Sequence, residues 1–225
     1  ISQYTRDDLS YLEYGSSFMG QSTSGVQSYA ARVLNNNVPF VSNAYAGAAP
    51  QTASFSDGTR LAVWIGYNDS YSGADALNLY YSYYDGTWTT PQVVDADGTT
   101  DAAPSLAVIG DTAYLVWQDA NGSIPDDMSI EDVAGMMGVS GAVFDRESRS
   151  FTAADITASG VLDMTPTLCG SGSTVYAVWV RNGANDWFGQ SGDNSIMFSS
   201  FSGGAWSGAS ALYSGLGPIV GMAAD

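Results

Sequence analysis

The feature that most constrains the fold is an internal repeat in which each copy begins with a proline. These prolines, spaced roughly 50 to 60 residues apart, are Pro50, Pro104, Pro166 and Pro218. In the first three copies a strand-like segment follows and ends near a tryptophan, at Trp64, Trp117 and Trp179. A repeat of this length predicts a fold assembled from one supersecondary unit that is used several times.

Each copy predicts four short antiparallel strands. Alternating apolar residues follow the proline, and a turn such as Asp57-Gly58 or Gly110-Asp111 leads into the tryptophan strand. A hairpin at Asp85-Gly86 or Gly203-Gly204 then introduces the last strand. Four-stranded antiparallel repeats describe the blades of a β-propeller, so the predicted fold is all-β.

The repeat divides the chain into about four blade units. They cover residues 1–47, 48–101, 102–163 and 164–215, and residues 216–225 supply the first strand of another blade. That strand either completes the blade begun by residues 1–47, which closes a small ring, or begins a further blade of a larger propeller. In the second case we expect further chain of the same protein to complete the ring.

The three strand tryptophans are predicted to lie in the core. Each alternates with an apolar residue on one strand face, where burying an indole between neighbouring sheets is strongly stabilising. The aromatic residues that follow the outer hairpins are predicted to cover the blade edges, and they are Trp88, Phe151 and Trp206.

The composition excludes several classes of function. Six Arg and no Lys stand against 23 acidic residues, giving a formal charge of −17, which repels nucleic acid. No run of 18 apolar residues is present, so membrane insertion is not predicted. Without His or Lys, Ser-His-Asp, Cys-His and Schiff-base catalysis are excluded, and the single cysteine, Cys169, excludes an internal disulfide.

The repeat resembles the sialidase-like propellers of secreted bacterial proteins, which carry an Asp-box turn of the form Ser-x-Asp-x-Gly-x-x-Trp. The segment 82–88 (Ser-Tyr-Tyr-Asp-Gly-Thr-Trp) is a shortened form of that turn, and segment 200–206 (Ser-Phe-Ser-Gly-Gly-Ala-Trp) lacks the aspartate. The resemblance covers residues 48–212 and implies a secreted or cell-surface protein. The catalytic residues of sialidases have no residue-by-residue match here, and no catalytic residue is assigned.

The loops that follow the tryptophan strands vary most between copies, and variable loops on a constant frame usually carry function. The predicted ligand-binding residues in or beside these loops are Tyr67, Asn68, Asp69, Tyr71, Asp119, Asn121, Arg181, Asn182, Asp186 and Trp187. By blade geometry, the same ring face carries the inter-blade connections with Asp95, Asp97, Asp101 and Asp163. The aromatic residues of this set either stack on sugar rings or pack within their loops.

An insertion in the second copy, residues 124–138, carries further candidates. Asp126 and Asp127 are the predicted ligands of a metal ion, with Ca²⁺ as the expected ion, and solvated loop acids are the alternative reading. Ser129 is followed by Ile-Glu-Asp, which predicts a short Ser-capped helix.

Two functions fit this sequence. The first is an extracellular binding or structural propeller that recognises a glycan or a protein on its loop-rich face. The second is a sialidase-like glycoside hydrolase that uses carboxylates and Tyr, because those are the catalytic groups that the composition leaves available.

Overall fold

The computed structural model describes residues 43–158, 160–171 and 174–219, which lie within one compact unit, Asn43–Asp225. The predicted first blade, residues 1–47, falls almost wholly outside the described residues, as does most of 216–225. The described chain is built from antiparallel sheets, two of four strands and one of five, which confirms the predicted all-β fold.

Three sheets follow one another along the chain, and in each the strands lie side by side in sequence order. The first sheet contains β1 (Gln51–Ser54), β2 (Arg60–Tyr67), β3 (Leu77–Tyr84) and β4 (Gln92–Val93). The second contains β5 (Asp101–Ile109), β6 (Thr112–Ala120), β7 (Met137–Asp145) and β8 (Ser150–Asp155). The third contains β9 (Leu162–Ser171), β10 (Thr174–Asn182), β11 (Asn194–Ser202) and β12 (Ala205–Trp206), and β13 (Ser210–Leu216) also pairs with β11.

The tight turns form where the sequence predicts them. Gly58 and Gly110 have φ values of +90° and +67° in the turns that enter β2 and β6. Gly86 and Gly203 have φ values of +79° and +61° in outer hairpins. These backbone angles are strained for residues with a Cβ atom, so glycine sets where each strand ends.

The strand tryptophans occupy equivalent places, each in the middle of the second strand of its sheet, and the prediction that they are core residues is confirmed. Trp64 is 3% exposed, and Trp117 and Trp179 are 0% exposed. Trp117 packs against the first sheet in a cluster with Leu79 and Tyr81. Trp179 packs against Val116 and Val139 of the second sheet. Trp117 and Trp179 therefore present their indoles to the preceding sheet.

The insertion after β6 forms a short helix, α1 (Ile130–Met136). Its N-cap is Ser129, whose Oγ accepts a hydrogen bond from the Asp132 backbone N–H at 3.1 Å, which confirms the predicted cap. A 3₁₀ turn (Gly73–Ala76) precedes β3 in the first sheet. Within the described residues, no helix has the length and apolarity needed to cross a membrane.

One arginine ties the first two sheets together at the end where β1 turns into β2. Arg146 Nη1 donates to Asp111 Oδ2 at 2.7 Å, and its Nη2 pairs with Asp57. The guanidinium also lies over the ring of Phe55, 4.5 Å from its centroid. The two aspartates lie in equivalent turns of successive sheets, so Arg146 bridges a repeated feature of the fold.

Candidate functional site

The candidate site lies between successive sheets, beside the first residues of the first strand of the later sheet. We call the first seam the group around Asp101 and Asp119, between the first and second sheets. The second seam is the group around Asp163 and Arg181, between the second and third sheets. In both seams an aspartate at the start of the sheet lies opposite a residue two places after the strand tryptophan.

The second seam is electrically balanced. Asp163 is 0% exposed, and its Oδ1 accepts hydrogen bonds from Trp179 Nε1 at 2.7 Å and Arg181 Nε at 2.8 Å. Its Oδ2 accepts from Arg181 Nη2 at 2.7 Å. This bidentate pair raises the pKa of Arg181. The buried carboxylate is therefore paired and hydrogen-bonded on both oxygens.

The first seam has the same strand pairing, but a negative side chain occupies the position that is positive in the second seam. Asp119 stands at the position of Arg181, directly across the strand pair from Asp101. Asp101 is 2% exposed, and its Oδ2 accepts from the Leu79 backbone N–H at 2.6 Å. Its Oδ1 has no hydrogen-bond partner. The nearby Trp117 N–H lowers the pKa of Asp101, but it does not meet Oδ1 in hydrogen-bond geometry.

Two further aspartates from the connection between β4 and β5 converge on Asp119. Asp95, Asp97 and Asp119 each offer a carboxylate oxygen, and these oxygens all lie within 4.8 Å of one another. We call these three residues the carboxylate cluster. In the described part of the chain it is the group of acids whose geometry fits a metal ion. Its members range from buried Asp119 to exposed Asp97.

Hydroxyl groups fix the orientation of these carboxylates. Thr99 Oγ1 donates to Asp97 at 2.9 Å and lies 3.1 Å from Asp119 Oδ1. Ser140 Oγ donates to Asp119 Oδ2 at 2.7 Å. Because a carboxylate oxygen has two lone pairs, each of these oxygens retains acceptor capacity.

Burial and mutual repulsion shift the titration of these acids upward. Desolvation raises the pKa of Asp119 to about 6, and the negative charge of Asp97 adds to the shift. Desolvation, followed by the charge of Asp119, raises the pKa of Asp101 well above its usual range. Burial and the neighbouring Asp97 also raise the pKa of Asp95. The seam is therefore an electrostatically unfavourable place for unaccompanied carboxylates.

A repeated backbone irregularity places the seam aspartates. Ala103 and Thr165 have φ values of +47° and +50°, each two residues after the seam aspartate and just before a proline. The pairing of β5 with β6 shifts register between Ala102 and Ser105, beside the first of these residues. Bulges of this kind re-aim side chains and occur often at functional sites.

A pocket of about 430 Å³ opens beside the first seam. Its walls come from the segment before β1, from β1 to β3 and from the start of β5, and they include Tyr45, Gln51, Leu77, Asp101 and Pro104. Ligand pockets generally measure roughly 300 to 1,000 Å³ and combine apolar walls with a few polar groups. Tyr45 also meets Tyr67 edge to face, with ring centroids 5.8 Å apart, so an aromatic pair borders the pocket.

Two of the predicted ligand-binding tyrosines lie on the surface. Tyr67 is 46% exposed and Tyr71 is 41% exposed. The Tyr71 ring covers Gly98, because a Cβ atom added to that glycine would lie 2.8 Å from ring atoms. The loop after β2 therefore meets the connection that carries Asp95 and Asp97, on one face as the sequence predicts.

Three of the predicted ligand-binding residues hold their own loops together. Asn182 is 0% exposed, and its Oδ1 accepts from the backbone N–H groups of Ala184 and Asp186. Asp186 in turn accepts from the N–H groups of Phe188, Gln190 and Ser191, which lowers its pKa. Asn68 accepts from the Ser70 N–H at 3.1 Å. These side chains act as turn caps.

The remaining predicted residues are spread over the face. Asp69 and Asn121 are exposed, and Trp187 is half-buried, donating from Nε1 to the Ile130 carbonyl at 3.0 Å. Asp126 and Asp127 are exposed and lie outside the carboxylate cluster. Trp187 also packs beside the insertion, which agrees with the loop-packing alternative for this residue.

Sequence reasoning placed Asp95, Asp97 and Asp101 on this face without including them in the site. The signal that could have found them is a difference between copies. The residue two places after the tryptophan is acidic in one copy, Asp119, and basic in the next, Arg181.

No protein-family model matches the chain, and no curated protein matches its sequence. Solved structures do match. An α-L-arabinanase from Penicillium chrysogenum, complexed with arabinobiose, superposes with a TM-score of 0.51 at 13% identity, over 77% of this chain and 51% of that chain. The chain has the fold of a β-propeller. Its three described sheets are blades of that propeller, and the chain spans about half the length of the arabinanase.

Two further propeller glycosidases show weaker likeness. An α-L-arabinofuranosidase from Fusarium graminearum matches with a TM-score of 0.48 at 11% identity, over 77% of this chain and 50% of that chain. A Trypanosoma rangeli sialidase matches with a TM-score of 0.44 at 12% identity, over 72% of this chain and 30% of that chain. The arabinanase match confirms the predicted propeller fold.

Proposed function

We propose that this chain is part of an extracellular β-propeller that binds a carbohydrate in the pocket beside the first seam. The observation that carries the proposal is the composition of this pocket. It has a volume of about 430 Å³, an aromatic wall at Tyr45 and a polar side chain at Gln51. Sugars present apolar ring faces and hydroxyl edges, and such a pocket offers a surface for each.

The place of the pocket in the fold supports the same proposal. It opens at the first strands of two successive blades, beside the face that carries the variable loops. The arabinanase that shares this fold was solved with arabinobiose. A propeller of this kind can accommodate an oligosaccharide, so a carbohydrate is the ligand class to test first.

The geometry favours binding over hydrolysis. A carboxylate that acts on a glycosidic bond must reach the sugar, and Asp101 and Asp119 are 2% and 6% exposed. Both side chains point into the seam between the blades, where they meet the Leu79 N–H and the Ser140 hydroxyl. Glycoside hydrolysis is the alternative to be measured alongside binding.

Calorimetric titration of this chain with oligosaccharides of arabinose, fructose and sialic acid tests the proposal. Tyr45→Ala is expected to weaken binding about tenfold, because it removes an aromatic contact worth roughly 1.4 kcal/mol. Phe188→Ala is the matched control, since Phe188 is 77% exposed and lies outside the pocket lining. Equal loss of affinity in both variants, or no binding by the wild type to any of the sugars, would overturn it.

The same mixtures of chain and oligosaccharide also test whether the chain hydrolyses glycosides. Release of shorter sugars by the wild-type chain, detected by chromatography, would identify a glycoside hydrolase. Binding without release would identify a recognition module.

A further inference from the structure

The two seams differ in how the buried aspartate is neutralised. In the second seam the guanidinium of Arg181 lies 2.7 Å from Asp163 Oδ2 and 2.8 Å from Asp163 Oδ1. In the first seam the equivalent position holds Asp119, so the cation is replaced by a second anion. The position that holds a positive side chain in the third sheet therefore holds a negative one in the second sheet, close to other carboxylates.

No described arginine compensates this charge. Three of the four arginines in the described residues pair with other acids, namely Arg146 with Asp57 and Asp111, Arg149 with Asp85, and Arg181 with Asp163. The fourth, Arg60, lies over the ring of Tyr84. The chain has no lysine or histidine. Several carboxylates gathered without a cation are costly unless they bind protons or the seam takes up a positive ion.

The spacing of the carboxylate cluster fits such an ion. Oxygen ligands lie roughly 2.3 to 2.6 Å from Ca²⁺, so two oxygens on one ion are at most about 5 Å apart. The oxygens of Asp95, Asp97 and Asp119 all lie within 4.8 Å of one another. Thr99 and Ser140 already orient Asp97 and Asp119, so part of the ordering needed for binding is in place.

A buried oxygen without a partner provides independent evidence. Asp101 is 2% exposed and faces Asp119 across the strand pair, and its Oδ1 has no partner in hydrogen-bond geometry: the Trp117 N–H lies near enough to lower the pKa of Asp101 but does not complete the bond. The equivalent oxygen of Asp163 accepts from both Trp179 and Arg181. A buried, unsatisfied carboxylate oxygen is rare in folded proteins, and a bound ion or its coordinated water would satisfy it.

We propose that the first seam binds a divalent cation, with Ca²⁺ as the expected ion, through Asp95, Asp97 and Asp119, and that Asp101 supports the ion from within the seam. The donor set selects the ion. All donors are oxygens, three carboxylates supply up to six of them, and water completes the six to eight ligands that Ca²⁺ takes. Zn²⁺ prefers histidine and cysteine ligands, which the cluster lacks.

The ion would join the first two blades. Asp95 and Asp97 belong to the connection that leaves the first sheet, whereas Asp119 belongs to β6 of the second. The site is separate from the loop acids Asp126 and Asp127. It also does not depend on carbohydrate binding, so it is tested without sugar.

Thermal unfolding of this chain in EDTA and in CaCl₂ tests the proposal. Saturating Ca²⁺ is expected to raise the wild-type Tm on the order of 5 °C, because the ion binds only the folded seam. Asp119→Asn is expected to abolish the rise. Asp127→Asn is the matched control, because it removes an exposed acid outside the cluster and is expected to retain the full rise.

A charge-replacement variant makes the test sharper. Asp119→Arg copies the second seam, so its Tm in EDTA is expected to exceed that of the wild type and to be unchanged by Ca²⁺. If a variant at Asp119 does not fold, Asp95→Asn in the half-buried connection serves instead, and calorimetry is expected to show Ca²⁺ affinity at least tenfold below wild type. A wild-type Tm insensitive to Ca²⁺, or a rise retained by Asp119→Asn or Asp95→Asn, would overturn the proposal.

Discussion

Asp119 and Arg181 occupy the same position in successive blades, two residues after a buried tryptophan, and each lies directly opposite a buried aspartate on the neighbouring strand. One position of the repeat therefore carries opposite charges in adjacent copies. In the third sheet the positive charge of Arg181 neutralises Asp163. In the second sheet the negative charge of Asp119 adds to that of Asp101. The propeller frame is constant, and the chemistry of each seam is set by one side chain.

Removing Arg181 is expected to destabilise the fold strongly. Arg181→Met leaves Asp163, which is 0% exposed, without its ion-pair partner, and such a loss costs about 3 kcal/mol or more. Chemical denaturation measures the free energy of unfolding. Arg149→Met is the control, because the Arg149–Asp85 pair is about half exposed on both sides and contributes at most about 1 kcal/mol. Equal effects of the two substitutions would contradict this account of the second seam.

The fold was predictable because its signals are local and repeated. The spacing of Trp64, Trp117 and Trp179 and the turn glycines define the blade without knowledge of any long-range contact. The Trp117 and Trp179 indoles need only a neighbouring sheet to cover them, and the preceding copy supplies it. Repetition therefore turned a set of weak local patterns into one architecture.

The first seam was less predictable because it depends on strand register. Asp101 faces Asp119 only because β5 and β6 pair in one register, interrupted by an irregularity between Ala102 and Ser105. A slip of one residue would send these side chains to opposite faces of the sheet. Asp95 and Asp97 reach the same place through a connection whose path the sequence pattern does not define.

The loop residues show a different limit. Asn and Asp are common both in binding sites and in turns, where their side chains bond to the neighbouring backbone. Asn182 and Asp186 belong to the second group in this structure. Residue type alone does not separate the two roles.

Asn182→Ala is consequently expected to reduce stability. The substitution leaves the N–H groups of Ala184 and Asp186 without their acceptor and costs about 2 to 3 kcal/mol. Denaturation of the variant measures this loss. Asn121→Ala, at an exposed position, is expected to change stability by less than about 0.5 kcal/mol. A fully stable Asn182→Ala protein would contradict the role of this residue as a turn cap.

Thr165→Gly is expected to stabilise the protein. Thr165 is exposed and has a φ of +50°, a conformation that is strained for a β-branched residue and accessible to glycine. Relief of this strain, less the added entropy of the unfolded chain, predicts a gain of about 0.5 to 1 kcal/mol. Thr167→Gly lies on the same strand without a positive φ and is expected to lose about 1 kcal/mol. Denaturation midpoints of the two variants should therefore move in opposite directions.

The turn at Asp57 predicts a specific acid sensitivity. Hydrogen bonds from the Thr59 side chain and backbone, together with Arg146, lower the pKa of Asp57 to about 2, whereas an unfolded aspartate titrates near 4. Because the folded-state pKa is depressed, the stabilising contribution of Asp57 is complete above about pH 4 and is lost as the pH falls towards 2. The wild type is expected to have a higher Tm than Asp57→Asn at pH 6, and this difference is expected to shrink between pH 4 and 2. Other carboxylates titrate in both proteins and cancel in the comparison, so a difference that stays constant down to pH 2 would show that Thr59 and Arg146 do not hold Asp57 ionised.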